Sequence, residues 1–433
     1  MQRLLMDKLI AWKNDARRKP LILRGARQVG KTWLLQEFGK QEFTEYAYVR
    51  LEDNQAIQVL FEGSLEPARL LDGLSSYTRK RITPNTLIVL DEIQAVPRAL
   101  TALKYFHEEA PEYPIAVAGS LLGIALQPGT SFPVGQVDFL DLHPLTFREF
   151  LLALGEERLV AQIVAADTDM LEVFAERLTD HLKQYYFVGG MPEAVQEFIS
   201  TRDYDRVRQI QRSILSAYDM DFSKHTDKFA AERSREVFAS IPSQLAKANR
   251  KFVYEAVKEG GRGREYSAAI RFLVDSGIAH QVWRVAKPGM PLAAYHDPAA
   301  FKIYLVDIGL LGAMSDLDIR TLVEGYRLFE EFKGSLSEQF VLQELVAECG
   351  LTPYYWSAER SSGEVDFIVQ HQGGIYPMEV KASDNLRSKS LAAFCQKYGL
   401  QNGLRLSLSA YRDQGWLRNI PLYAIGSLLQ LLK

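Results

Sequence analysis

Cysteine is nearly absent from this chain: Cys349 and Cys395 are the only two. Two thiols make no disulfide framework, which excludes the small cross-linked secreted scaffolds and fits a reducing cytosol. Long apolar runs are also lacking. Stretches such as 303–314, with Asp307 inside it, fall far short of the roughly 20 residues that a membrane span requires. The opening MQRLLMDKLIAWKNDARRKP has neither the apolar core nor the small-residue cleavage site of a signal peptide. No charge of one sign dominates, since 51 Lys and Arg face 54 Asp and Glu, a net charge of −3. That balance argues against a basic coat over the whole surface. What the chain does hold is 47% hydrophobic and 24% charged residues, enough to build cores and to exclude wholesale disorder. At roughly 150 residues per domain, its 433 residues suggest about three domains. The expectation is a cytoplasmic protein with no membrane partner.

Residues 1–200 begin with short apolar runs separated by helical patterns. The expected strands are Leu21–Arg24, Tyr48–Leu51, Thr86–Leu90, Ile115–Ala118 and Val137–Leu142, with helices such as Lys31–Phe38 and Ala99–Ala110 between them. Such alternation predicts an α/β fold whose parallel sheet is covered on both faces, followed over 150–200 by helices. Residues 201–325 change character. Short helical patterns at Ile241–Ala248, Lys251–Lys258 and Tyr266–Ser276 precede an alternating run, Gly277–Val285, and a turn at Pro288-Gly289. Three helices and a hairpin outline a winged helix. Between 244 and 290 nine Lys and Arg (247, 250, 251, 258, 262, 264, 271, 284, 287) meet four acids (255, 259, 265, 275), a local charge of +5. A solvated helical connector accounts for that charge as well as a DNA-binding face does. Residues 326–433 read as helix (Gly334–Cys349), strand (Tyr354–Ser357), strand (Glu364–Val369), turn, strand (Ile375–Ala382) and helix (Leu386–Tyr398).

The chemistry begins at Gly25-Ala26-Arg27-Gln28-Val29-Gly30-Lys31-Thr32, which fits G-x-x-x-x-G-K-[ST] after an apolar strand and before a helix. Glycines let the backbone wrap a phosphate with its amide hydrogens, at the positive end of a helix. Lys31 is placed to reach the β- and γ-phosphates of ATP and Thr32 to ligate Mg²⁺. The strand Thr86–Leu90 then ends in Asp91-Glu92, one βαβ step after the loop. Asp91 is expected in the Mg²⁺ shell, and Glu92 to orient and deprotonate the attacking water. Ser120, after the fourth strand, is expected to sense the γ-phosphate at the sheet edge that faces ligands. Arg148 offers an arginine finger, against which stands a plain helix-surface salt bridge.

Near the carboxyl end, Glu379 and Lys381 are two apart on a strand and so share a face. The Gly373-Gly374 turn folds the preceding strand back, bringing Asp366 beside them. Two carboxylates and a lysine suit metal-dependent phosphodiester cleavage, the acids holding Mg²⁺ and the lysine steadying the hydroxide or transition state. Glu338 on the preceding helix adds a further carboxylate. A solvent-facing Glu-x-Lys strand with a neighbouring acid is the bland alternative.

At these residues the chain resembles the prokaryotic AAA+ P-loop ATPases that carry a C-terminal domain of unknown function, itself similar to restriction-endonuclease-like nucleases. The resemblance rests on Arg24–Thr32, Asp91-Glu92-Ile93-Gln94, Ala118-Gly119-Ser120, Pro144-Leu145-Thr146-Phe147 and Gly189-Gly190-Met191-Pro192. Pro242-Ser243-Gln244-Leu245, Glu364-Val365-Asp366-Phe367 and Glu379-Val380-Lys381 extend it over nearly the whole chain. It implies an AAA+ core over 1–200, a winged-helix middle over 201–325 and a restriction-endonuclease-like tail over 326–433. It also implies Thr32 and Asp91 at Mg²⁺, Glu92 as the catalytic base, Ser120 as the sensor, and Glu338, Asp366, Glu379 and Lys381 in the tail site. One departure is Gln136, which stands where many relatives carry a basic residue. The expected function is ATP hydrolysis coupled to action on DNA, with ATP and Mg²⁺ as cofactors and self-assembly compatible with the family. The alternatives are a nucleotide-gated binding or signalling module with an inactive nuclease-like tail, and a chaperone-like remodeller of another protein.

Overall fold

A computed structural model describes residues 1–52, 54–119, 133–225, 228–247, 250–320, 330–358, 363–382 and 388–432. The chain divides into two compact units. One comprises Arg3–His143 with Asp275–Gly277, the other Met1–Gln2, Pro144–Val274 and Ile278–Lys433.

The first unit runs α1 (Leu5–Asn14), β1 (Leu21–Arg24), α2 (Lys31–Glu42), β2 (Glu45–Arg50), α3 (Gln55–Glu62) and α4 (Pro67–Thr78). It continues through β3 (Thr86–Asp91), α5 (Pro97–Glu109), β4 (Ile115–Ala118) and β5 (Asp138–Asp141). The strands form a parallel sheet in the order β2-β3-β4-β1-β5. All six residues of β3 are buried, as a strand covered on both faces requires. Ile22, Val49, Ile88 and Leu90 pack with Leu103 and Phe106 of α5 in one core. Because β2 intervenes in sequence and β4 in space, Asp91 stands two βα steps beyond the loop rather than one. The parallel register brings the carboxyl ends of β1, β4 and β3 side by side, the edge where open α/β sheets hold their ligands.

The second unit opens with eight helices: α6 (Phe147–Ala153), α7 (Glu157–Ala165), α8 (Thr168–Val173), α9 (Ala175–Val188), α10 (Pro192–Thr201), α11 (Tyr204–His225), α12 (Lys228–Leu245) and α13 (Gly263–Asp275). The hairpin β6 (Ala279–Val285) and β7 (His296–Leu305) follows, then α14 (Ile308–Met314) and α15 (Glu330–Ala347). The remainder is β8 (Tyr354–Ser357), β9 (Glu364–His371), β10 (Gly374–Val380), α16 (Lys389–Tyr398), β11 (Gly403–Ser407), β12 (Arg412–Asp413), β13 (Leu417–Pro421) and α17 (Leu428–Leu431).

Two expectations change here. Three helices do precede a hairpin, yet the hairpin is not a separate wing. Strand β6 pairs in parallel with β8 through Arg284 and Tyr355, so one sheet among the described residues runs β12-β13-β11-β10-β9-β8-β6-β7. An unpaired β6 edge would leave backbone donors and acceptors open, and β8 covers them. The sheet therefore runs across the expected border at 325, and the first compact unit ends at His143. The helical pattern at Lys251–Lys258 is instead irregular, with a single 3₁₀ turn over Tyr254–Ala256. Long-range pairing overrides local propensity. The Phe252 amide donates to the Phe301 carbonyl at 2.8 Å, and the Gln244 side chain both accepts from the Val253 amide and donates to its carbonyl.

Several motifs behind the resemblance prove to be folding devices. Thr146 and Glu149 form a capping box at the start of α6, whose first amide, Phe147, donates to Glu344 at 2.9 Å. At Gly190 an added Cβ would stand 2.1 Å from the Leu145 carbonyl oxygen, so only glycine fits. Its amide donates to Asp307 Oδ2 at 2.6 Å, while Asp307 caps α14 by accepting from the Leu310 amide at 3.0 Å. Burial pushes the Asp307 carboxyl up to about 6, against the pull of those amides.

Candidate functional site

The first site forms where β1 turns into α2. Gly25 has φ +150°, and a Cβ there would lie 2.2 Å from the Leu142 carbonyl oxygen. Gly30, at φ +93°, hands the loop to the helix in a left-handed conformation. Between them run Ala26, Arg27, Gln28 and Val29, with Gln28 also at positive φ. The Lys31 ammonium folds back to donate to the carbonyl oxygens of Gly25 at 2.9 Å and Ala26 at 2.8 Å. Burial lowers its pKa to about 8, even though Glu92 and Asp91 pull it upward. A half-buried cation held by carbonyls gains most from an anion in the loop.

The Thr32 hydroxyl donates to Asp91 Oδ2 at 2.8 Å, so the structure brings the two expected Mg²⁺ residues together. An aliphatic hydroxyl beside a carboxylate is a hard oxygen set that fits this ion. Asp91 Oδ1 accepts from the Glu92 amide at 3.0 Å. Glu92 itself has a left-handed backbone, φ +53°, and its carboxylate accepts from the Gln94 side-chain amide group. Ser120 lies outside the described residues. Arg148 is ion-paired with Glu348 at 2.8 Å, with both side chains mostly buried, and so has the structural role rather than that of a finger.

Two residues at this site carry no motif. The Tyr48 hydroxyl, on β2 beside β3, donates to the same Asp91 oxygen as Thr32, at 2.8 Å. Burial first, then this bond, raises its pKa above that of an ordinary phenol, so it remains a donor. Arg3 reaches from before α1 to the Val29 carbonyl at 2.9 Å and the His143 carbonyl, tying down the back of the loop. Sequence shows neither, because both depend on which strand and helix lie next to the loop. Removing the Tyr48 hydroxyl leaves Asp91 one donor short. Tyr48→Phe is expected to raise the Mg²⁺ concentration for half-maximal ATP turnover by about tenfold, as loss of an outer partner of a metal ligand does. Mg²⁺ titration of the variant's ATPase rate checks this.

The tail residues divide into two groups. Lys381 and Glu379 form an ion pair at 2.8 Å. Asp366 lies opposite Glu379, one step beyond the registered pair Met378–Phe367, and its Oδ2 accepts from the Val380 amide at 2.8 Å. Glu338 approaches from α15. It is hydrogen-bonded to Asp366, ion-paired with Arg250, and accepts from the Tyr304 hydroxyl at 3.0 Å. Lys302, wholly buried on β7, lies 3.6 Å from Glu338 and is also paired with Glu364. Burial raises the Asp366 carboxyl well above the usual range, helped by Glu338, whereas Arg250 and Lys302 overcome burial to hold Glu338 low. The two carboxyls thus form an acid–carboxylate pair. Among the described residues no group of three His, Cys, Asp or Glu is arranged to hold a metal ion. The expected ligand set Glu338, Asp366 and Glu379 therefore does not fit Mg²⁺ in this arrangement, because cations of the chain itself occupy two of its three acids. Sequence reasoning missed Arg250 and Lys302. Lys302 did leave a signal, as a lone charge in the apolar run Phe301–Leu305.

The basic segment is likewise partly consumed. Arg250 faces Glu338, Lys258 pairs with Glu236 at 2.9 Å, and Arg284 pairs with Asp297 at 3.2 Å.

Residues 17–151 match the family described as AAA domain. Residues 179–321 match a domain of unknown function, DUF8612, and residues 333–424 another, DUF4143. A comparison with curated proteins finds no match. Among solved structures, the chain is similar to the Orc1 protein of Aeropyrum pernix in complex with DNA, at 14% identity, covering 72% of this chain and 90% of that one, TM-score 0.26. It is also similar to Cdc6p of Pyrobaculum aerophilum (13% identity, 76% and 96%, TM-score 0.28) and to a variant of RuvB of Thermotoga maritima (14% identity, 66% and 90%, TM-score 0.30). Likenesses this distant carry no argument about activity. Among the described residues no helix is long and apolar enough to cross a membrane.

Proposed function

We propose that this protein binds and hydrolyses ATP and acts on DNA. The observation that carries the reading is the meeting of Thr32 and Asp91 at 2.8 Å beside the half-buried Lys31. The loop amides and Lys31 would hold the phosphates, and Thr32 with Asp91 would hold Mg²⁺. The ion supplies neutralisation of the charge that develops on the phosphate oxygens. Glu92 orients the attacking water and accepts its proton, Tyr48 and Thr32 keep Asp91 in place, and Ser120 senses the γ-phosphate. The basic segment supports DNA as the partner, although ion pairs consume part of that charge. ATP turnover measured with and without single- and double-stranded DNA over a salt series tests the reading. DNA-stimulated turnover that weakens as salt rises is expected. Turnover indifferent to DNA, with no salt-dependent binding, would sink it.

A second reading, in which the nuclease-like tail does not cleave, is favoured by one observation: Glu338 and Glu379 are already ion-paired. Strand cleavage read in the same tubes decides this. Mg²⁺-dependent cutting that Asp366→Ala and Glu379→Ala eliminate would restore the tail to a nuclease.

A further inference from the structure

In the motif Asp91-Glu92-Ile93-Gln94 the last residue is polar, yet neither phosphate binding nor Mg²⁺ ligation calls for it. Both oxygens of Asp91 are engaged, Oδ2 by the Thr32 and Tyr48 hydroxyls and Oδ1 by the Glu92 amide. The chain then leaves the sheet. Glu92, in its left-handed conformation, opens a 3₁₀ turn over Ile93–Ala95. The Ala95 amide donates to the Glu92 carbonyl at 2.9 Å, and the Val96 amide to the Ile93 carbonyl at 3.2 Å. Ile93 and Val96 are buried in the core of the first unit, which pins the turn beside the sheet, and Pro97 starts α5 directly after it. Glu92 and Gln94 flank Ile93, and both are half-buried. Gln94 therefore reaches the Glu92 carboxylate from a fixed platform. Among the described residues its side-chain amide is the one hydrogen-bond partner of that carboxylate, and it takes a single oxygen, Oε2.

We propose that Gln94 is the positioning residue of the hydrolytic base: by holding Oε2 of Glu92, it leaves Oε1 as the oxygen that meets the attacking water. A glutamate side chain has three torsions, and a base free to change rotamer is in line with the water only part of the time. A reacting group misplaced by about 1 Å loses about a hundredfold in rate, so a single bond that fixes the carboxylate has a large lever. An amide suits the task. It donates to the carboxylate without neutralising it, as an arginine or lysine in its place would. The inference rests on the reading of Glu92 as the base, and it concerns ATP hydrolysis alone, whatever the partner of the chain.

The test is a double-mutant cycle on the full chain at saturating Mg²⁺, with kcat and KM for ATP read separately and single turnovers used for the slow variants. Gln94→Ala is expected to lower kcat by about tenfold or more, with KM and the thermal melt little changed. Gln94→Glu keeps the shape but sets an acceptor against the carboxylate, so it should lose at least as much. A side chain that served only to fill space would tolerate that change. In the Glu92→Gln background Gln94→Ala should cost nothing further, because no base is left to position. Losses that multiply in the double variant, a Gln94→Glu variant as fast as wild type, or an effect on KM in place of kcat would overturn the positioning role. Should Gln94→Ala fail to fold, Gln94→Glu carries the same cycle. A slow Glu92→Gln beside a fast Gln94→Ala sinks this inference alone, whereas a Glu92→Gln variant as fast as wild type sinks the reading of Glu92 as the base and the inference with it.

Discussion

Lys31→Ala is expected to lower ATP turnover by at least about a hundredfold and to weaken nucleotide binding, because it removes the loop lysine placed to reach the phosphates. The fold should survive. Among the described residues Lys31 donates to the Gly25 and Ala26 carbonyls, and truncation removes a charge that desolvation already disfavours. Comparison of ATPase rate with an unchanged thermal melt checks both halves. The same residue predicts a pH dependence in wild type. Its pKa in the free site is lowered to about 8, so below that pH the ammonium is charged and affinity is flat. Above it the site must take up a proton to bind an anion. Affinity for ATP therefore falls as pH rises past about 8, by roughly tenfold per unit until the bound form also titrates. Nucleotide affinity measured across that range shows the slope. A flat profile would mean that the lysine is charged throughout, against the desolvation argument.

Glu92→Gln should separate binding from hydrolysis. A positioned general base contributes about a hundredfold to ten-thousandfold, and glutamine keeps the shape while giving up the proton acceptor. Turnover is expected to fall by that factor with ATP affinity unchanged, since Glu92 touches neither Lys31 nor Thr32 by hydrogen bond among the described contacts. Its backbone is anchored separately, by the bond from its own amide to Asp91 Oδ1. Single-turnover measurement with saturating ATP checks the result. Loss of binding in parallel with rate would make Glu92 part of the phosphate site instead.

The nucleotide site was the most legible part of the chain because its residues are contiguous. Eight positions, Gly25 to Thr32, carry their own geometry in glycine placement and in the change from an apolar run to a helix. Asp91-Glu92 could be read because an apolar run that gives way to two carboxylates marks the end of a covered strand, although the strand takes in Asp91. The strands Ile115–Ala118 and Tyr354–Ser357 fall where their apolar runs place them. The hairpin of β9 and β10 follows from its glycine turn. The segment Lys251–Lys258 went the other way, since its backbone partners, Phe301 and Gln244, are supplied by other elements.

What the sequence by itself determined is local: the phosphate loop, the acid-tipped strand, and the parallel α/β character of the first unit. Backbone conformation and burial within a few residues suffice for these. What only the tertiary structure decided is who stands beside whom. Tyr48 reaches Asp91 because β2 pairs with β3, and the hairpin joins the tail because β6 meets β8. Glu338 is claimed by Arg250 and Lys302 because a buried carboxylate takes whatever cation the fold brings within reach. Strand register and burial over long sequence separations set these pairings, and no spacing in the chain encodes them.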